Sequence, residues 1–173
     1  MKRKLTGFIL ASMVVALLAG CSQQAAVVEE TPEPSVDSIS QASVANYYGD
    51  SSLSGQALID VINNREAAIT VATTNADGTP NLATAIPAFV SDDVIVFGLA
   101  ENQTKLNLME RNLGVISAYL YNPTAEEKLD RNRGARMVIQ RITDEAEIKE
   151  LMETNDLSEG SILVRVVKVL PLG

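Results

Sequence analysis

The chain has 173 residues, 46% of them apolar and 21% charged, which suffices for one modest globular domain. It has no histidine and a single cysteine, and this excludes imidazole acid-base chemistry, Ser-His-Asp and Cys-His nucleophiles, the usual zinc sites and an intramolecular disulfide. With 14 basic against 22 acidic side chains and 4% aromatics it offers neither the basic patch nor the stacking platforms that nucleic acid requires, so no nucleic-acid partner is expected.

Lys2, Arg3 and Lys4 form a positive N-terminal region, and Leu5 to Ala19 is an apolar run shorter than the ~20 residues of a comfortable membrane span. That pattern is an export signal. It closes on Leu18-Ala19-Gly20-Cys21, which resembles the lipobox of bacterial lipoproteins. The resemblance implies a signal peptide over residues 1–20, cleavage before Cys21 and lipidation of that cysteine, which is then an anchor and not a nucleophile. An ordinary secretory signal or an uncleaved anchor is the alternative. Cleavage leaves 153 residues with 11 basic against 22 acidic side chains. Attachment to a membrane outside the cytoplasm, in the cell envelope, then rests on acyl chains rather than on attraction to anionic headgroups. From Ser22 to Asp50 the chain carries Glu29, Glu30, Glu33, Asp37 and Asp50, two prolines and no basic residue. Such a stretch predicts a disordered acidic tether over residues 21–50, with the folded domain at 51–173.

In the domain, Ser54 is placed to cap a short helix with Leu58, Ile59 and Ile62 on one face. Ala67 to Thr74 is rich in β-formers, Asn75-Ala76-Asp77-Gly78 has the chemistry of a tight hairpin turn, and Pro80 to Val90 returns as a second strand, with Pro87 marking an edge or a bulge. Ser91-Asp92-Asp93 turns the chain into a third strand, Val94 to Ala100. Leu106, Leu108 and Met109 recur near helical spacing, which predicts a short helix from Gln103 to Asn112. Gly114 to Tyr121 is a fourth strand, Asn122 to Arg133 a polar loop and Ala135 to Ile142 a fifth strand. Thr143 opens an acidic helix, with Glu145 and Glu147 at the end its dipole favours. Ser161 to Leu170 is the sixth strand, with Val164 and Val166 expected on one face and Leu163, Val167 and Val169 on the other. Consecutive hairpins with few helices predict a mainly β fold, an antiparallel sheet that closes as a barrel.

Asn75-Ala76-Asp77-Gly78-Thr79-Pro80, then Phe97-Gly98, then Gln103-Thr104-Lys105-Leu106-Asn107-Leu108-Met109-Glu110-Arg111-Asn112, in this order and spacing, resemble the pyridoxamine 5′-phosphate oxidase-like, FMN-binding split-barrel family over roughly residues 65–170. Gly134-Ala135-Arg136 fits the same pattern. The resemblance implies a six-stranded antiparallel split barrel, usually a homodimer, with an FMN in each of two grooves at the subunit interface. It places Gln103, Thr104, Lys105 and Asn107 among the cofactor-binding residues and the backbone of Thr84, Ala85 and Ile86 at the flavin ring. A phosphate needs N–H groups, a hydroxyl and a cation, and Thr104 with Lys105 at the start of a helix supply all three.

Each of these residues also has a plainer reading. Lys105 is then a solvated helix lysine, Thr104 a helix cap, Gln103 a surface side chain and Asn107 a tie from the helix to its neighbouring loop. Arg136 either lines the groove or pairs with the acidic surface, and Tyr119 with Tyr121, on one face of a strand, either stack near a flavin or pack in a core or interface. The arginine- and histidine-bearing C-terminal segment of the vitamin-processing oxidases is missing, so the resemblance does not reach the substrate, and no side chain stands out as a catalytic acid or base. Two functions follow as expectations. One is a lipid-anchored flavoprotein, an FMN-dependent oxidoreductase with a small-molecule redox partner. The other is a non-enzymatic envelope lipoprotein whose barrel binds another ligand or partner, or none, with a deazaflavin or another phosphorylated cofactor in the same groove as an intermediate case.

Overall fold

The computed structural model describes residues 35, 36 and 49–172. The export signal, Cys21 and most of the expected tether lie outside the described residues. Helix α1 (Gly55–Asn63) buries Leu58, Val61 and Ile62, and Ser54 holds its N-cap with extended backbone but without a side-chain capping bond. Strands β1 (Ala68–Thr74) and β2 (Pro80–Thr84) form the expected hairpin. Its turn needs Gly78, whose φ of 83° few other residues adopt. There follow β3 (Ala88–Phe89), β4 (Val94–Phe97), α2 (Gln103–Arg111), β5 (Leu113–Tyr121), a 3-10 turn at Leu129–Arg131, β6 (Asn132–Arg141), α3 (Glu145–Thr154) and β7 (Ile162–Pro171). Asp144 caps α3, its carboxylate accepting from the Glu147 amide at 2.8 Å, so the helix starts two residues later than Thr143.

The seven strands form one antiparallel sheet in the order β2-β1-β5-β6-β7-β4-β3. The strand expected over Pro80 to Val90 is therefore divided, and its halves lie on opposite edges of the sheet. Only residues 85–87 separate the halves, at most about 14 Å of chain between Thr84 and Ala88. Two edges of one sheet can be joined by so short a link only if the sheet curls until they face each other. The result is a split barrel, with seven strands where six are expected because Pro87, lacking an N–H, sits where the ladder is interrupted.

The concave side of the sheet holds the main core, including Val71, Ile95, Phe97, Ile116, Met137, Ile139 and Val164, plugged by Leu58 and Ile62 of α1 and Leu108 of α2. On the convex side, α3 covers Val94, Ile142 and Leu163 with Ile148, Leu151 and Met152. Arg165 of β7 clasps this layer by pairing with both Asp93 of the β3–β4 turn and Glu147 of α3. A third cluster on the convex side contains Leu113, Val138 and Leu170.

The expected alternation in the last strand fails at a bulge. Val138 pairs with Lys168 but Ile139 pairs with Val166, so Val167 is an extra residue. Before the bulge Val164 and Val166 face the core and Leu163 faces out; after it Lys168 and Leu170 face out and Val169 takes the face of Met137. Leu163 and Val169 therefore point to opposite faces. Beside β6, the segment before α1 continues the ladder, with the Leu53 amide donating to the Gly134 carbonyl at 2.7 Å and the Gly134 amide to the Ser51 carbonyl at 3.2 Å.

Candidate functional site

The curl that joins the sheet edges also builds a cleft of about 260 Å³, lined by Thr84, Ala85, Ile86, Phe97, Gly98, Leu99, Ala100 and Asn102. The crossing segment thus meets the end of β4 and the N-terminus of α2. Ala85, Gly98 and Ala100 have small side chains or none, which leaves main-chain groups within reach of a flat ligand. Ile86 is 71% exposed, and Thr84 is exposed beside it. A second hollow, of about 240 Å³, lies against the same segment and adds Arg65, whose φ of 62° places it in the left-handed region. Arg65 is a cation near Thr84 to Ile86 that sequence reading passed over.

At the start of α2 the cap is Asn102, not Thr104: the Asn102 carboxamide oxygen accepts from the Lys105 amide at 3.0 Å. The Leu106 amide already reaches the Asn102 carbonyl at 3.1 Å, so Gln103 and Thr104 carry the amides of this turn that lack an intrahelical partner. Lys105 is half-buried, its side chain 18% exposed, and its Nζ pairs with Glu101 at 2.5 Å, while Glu101 itself is 89% exposed. Glu101 was not anticipated. An anion arriving here takes over a cation held by a mobile-armed surface carboxylate, an exchange that costs little because exposed pairs are worth only about 0–1 kcal/mol.

Thr104 and Asn107 face inward, with 2% and 0% exposure. The Asn107 amide nitrogen donates to Thr73 Oγ1 and Asn75 Oδ1, both at 2.9 Å, and its oxygen accepts from Gln103 Nε2 at 2.7 Å. Asn81 Nδ2 donates to Thr104 Oγ1 at 2.9 Å and to Thr73 Oγ1 at 3.1 Å. These bonds tie α2 to β1, β2 and their turn. Their direction is set by Asp77, which as a carboxylate can only accept: it takes the Thr79 hydroxyl at 2.6 Å, so Thr79 Oγ1 accepts from Asn75, Asn75 from Asn107, and Asn107 from Gln103. Asn81 had no motif to mark it; the available signal was a polar residue at an inward position of a strand opposite another, Thr73.

The Thr79 hydroxyl, and then the Thr79 amide, hold the Asp77 carboxyl below its ordinary value of 3.8. A group with a depressed folded value contributes stability above its unfolded value and loses it as pH falls through the folded one. Asp77→Asn is therefore expected to melt lower than the parent at neutral pH, with the gap closing below about pH 4; thermal melts across pH 2–7 check this.

The structure brings Thr84, Ala85 and Ile86 to one cleft with Asn102, the N-cap of α2, whereas Gln103 and Lys105 follow on the helix and are not among the residues lining that cleft, and Thr104 Oγ1 and Asn107 are directed into the helix attachment. Arg136 lies on the convex face, its Nε donating to the Pro171 carbonyl at 3.1 Å. Tyr119 and Tyr121 share one face of β5 as expected but are outside the core, at 37% and 64% exposure, with the Tyr119 hydroxyl on Asn132 Oδ1 at 2.5 Å.

No family model matches this sequence, and no curated protein does. The fold recurs in solved structures. A tagged point variant of HupZ from Group A Streptococcus superposes with a TM-score of 0.51 at 20% identity, over 69% of this chain and 100% of that one. An FMN-binding protein from Syntrophomonas wolfei subsp. wolfei gives 0.48 at 18% identity, over 67% of this chain and 84% of that one. HutZ, the heme storage protein from Vibrio cholerae, gives 0.41 at 13% identity, over 70% and 92%. The chain shares its curled antiparallel split-barrel fold with the HupZ structure.

Proposed function

We propose that this chain is an FMN-binding flavoprotein, lipid-anchored through Cys21 in the cell envelope and working as a homodimer in flavin-dependent oxidoreduction with a small-molecule partner. The observation that carries the reading is the meeting of Thr84 to Ile86 with Asn102, the N-cap of α2, at one cleft, with Lys105 three residues further along the same helix. Two spare helix amides and a lysine suit a phosphate, and the small side chains of Ala85, Gly98 and Ala100 suit a ring approached by main chain. The cleft of about 260 Å³ falls below the range of a ligand pocket, about 300–1,000 Å³, which is why a second copy belongs to the proposal as the other wall. A bound flavin supplies the electron transfer; this chain's residues bind and orient it.

FMN titrated into the detergent-solubilised chain is expected to bind at about one per chain and to survive desalting. Lys105→Ala should weaken FMN at least ~10-fold, the loss of one charge-assisted contact of about 1.5–3 kcal/mol, and leave riboflavin, which has no phosphate, unaffected. Equal FMN affinity in the two proteins removes Lys105 from the site. A second reading is favoured by the Glu101–Lys105 pair, which already neutralises the cation: a non-enzymatic envelope lipoprotein whose cleft takes a deazaflavin, another ligand or a partner. A colourless, folded chain that ignores FMN selects it.

A further inference from the structure

The convex face of the sheet carries an apolar row that its alternation does not explain. Leu82, Ala72, Val115 and Val138 stand opposite one another across β2, β1, β5 and β6. A solvated face of an antiparallel sheet is normally polar. At the β2 end the row is bare, with Leu82 72% exposed; at the β6 end Val138, Leu170 and Leu113 are buried at 0%, 3% and 8%. Helix α3 lies over a different cluster, and α1 and α2 pack into the concave core. Among the described residues, the partly buried apolar side chain packed against Leu113, Val138 and Leu170 is Val36.

We infer that this end of the convex face is a docking site for the chain's own N-terminal segment, with Val36 as the knob that fills it. Two observations converge. Val36 stands between Ser35 and Asp37, so no apolar run of its own accounts for its burial. Charge also matches: Lys168 shares the row of Val138, Arg136 shares the next row with Leu170, and residues 22–50 carry five carboxylates and no basic side chain. Docking makes residues up to Val36 part of the body rather than of the tether. On the anchoring proposed above, the free spacer after Cys21 shortens from 29 residues to 14, and its typical reach from roughly 30 Å to roughly 20 Å.

The test uses the full chain in detergent and reads no flavin, so it stands or falls apart from the cofactor reading. Val36→Asp is expected to lower the melting midpoint by about 5 °C, equally at all protein concentrations, with Val36→Ile melting like the parent. Should the aspartate variant not fold, Val36→Ala is expected to show about half that shift. Because the chain has no tryptophan, Val36→Trp also provides a lone fluorophore, expected to emit as a buried indole and to keep that emission on dilution. An unchanged midpoint for Val36→Asp, or a solvent-like emission, overturns the inference. A midpoint loss or an emission that depends on protein concentration also overturns it, and assigns the face to a second copy instead.

Discussion

Gly134→Ala is expected to cost roughly 3 kcal/mol, as overpacking against backbone that cannot give way. A methyl group on Gly134 would lie 2.2 Å from the carbonyl oxygen of Ala118 and 3.2 Å from its carbonyl carbon. Both are backbone atoms of β5, in the longest strand pairing of the sheet, so nothing can swing aside and β5 must part from β6. Gly134 also bonds Ser51 and Leu53 through its own amide and carbonyl, and a shifted β6 would loosen the segment leading into α1. Replacing glycine restricts the unfolded chain, a gain of about 0.4–1 kcal/mol that is too small to offset the clash. The expected result is a midpoint roughly 10 °C below the parent's. Gly98→Ala is the control: nothing lies within 4 Å of the position its methyl would take, so the melt should be unchanged. Equal melts for Gly134→Ala and the parent would show that β5 and β6 are not spaced as described.

Asn107→Leu is expected to destabilise by about 2–3 kcal/mol and to weaken FMN binding as a consequence. Leucine has the same branching and is larger, so no cavity opens and the cost is the lost amide with some overpacking. Of the three groups it bonds, Gln103 is exposed and Asn75 half-buried, and both can turn to water; Thr73, 5% exposed, cannot, and keeps only the second of its two donors, Asn81. A buried polar group deprived of a partner costs about 1–3 kcal/mol, whereas replacing both partners by apolar groups costs much less. Thr73→Val combined with Asn107→Leu should therefore recover part of the loss, and urea titrations of the four proteins measure that coupling. Strict additivity of the two single losses would deny the bond. Because Asn107 fastens α2 to the β1–β2 hairpin, and α2 carries Gln103 and Lys105, the looser helix is expected to reduce FMN affinity through position rather than contact.

Much of the site was legible as local pattern. The Asn-Ala-Asp-Gly turn and the helix over Gln103 to Arg111 rest on neighbours a few positions apart, and those interactions survive in any tertiary setting, whereas the candidate cofactor residues on the helix came from the family resemblance. What the same residues do was less legible. Thr104 and Asn107 sit beside Lys105 in the chain, yet the helix turns them inward onto Thr73, Asn75 and Asn81, partners 23–34 positions away. Asn102 received no reading, although one residue before a helix is where a carboxamide caps it.

By itself, the sequence determined the exclusion of imidazole and disulfide chemistry, most of the order of elements and the mainly β class, because composition and short-range periodicity need no long-range contact to act. The tertiary structure alone decided that Pro80 to Val90 becomes two strands on opposite edges, that Thr84 to Ile86 meets Phe97 to Asn102 in a cleft, and that Val167 bulges and reverses the faces after it. Those outcomes depend on how far a seven-stranded sheet curls before its edges meet. Curl is set by the packing of the whole core, to which each residue contributes a fraction and of which no short stretch of sequence holds the sum.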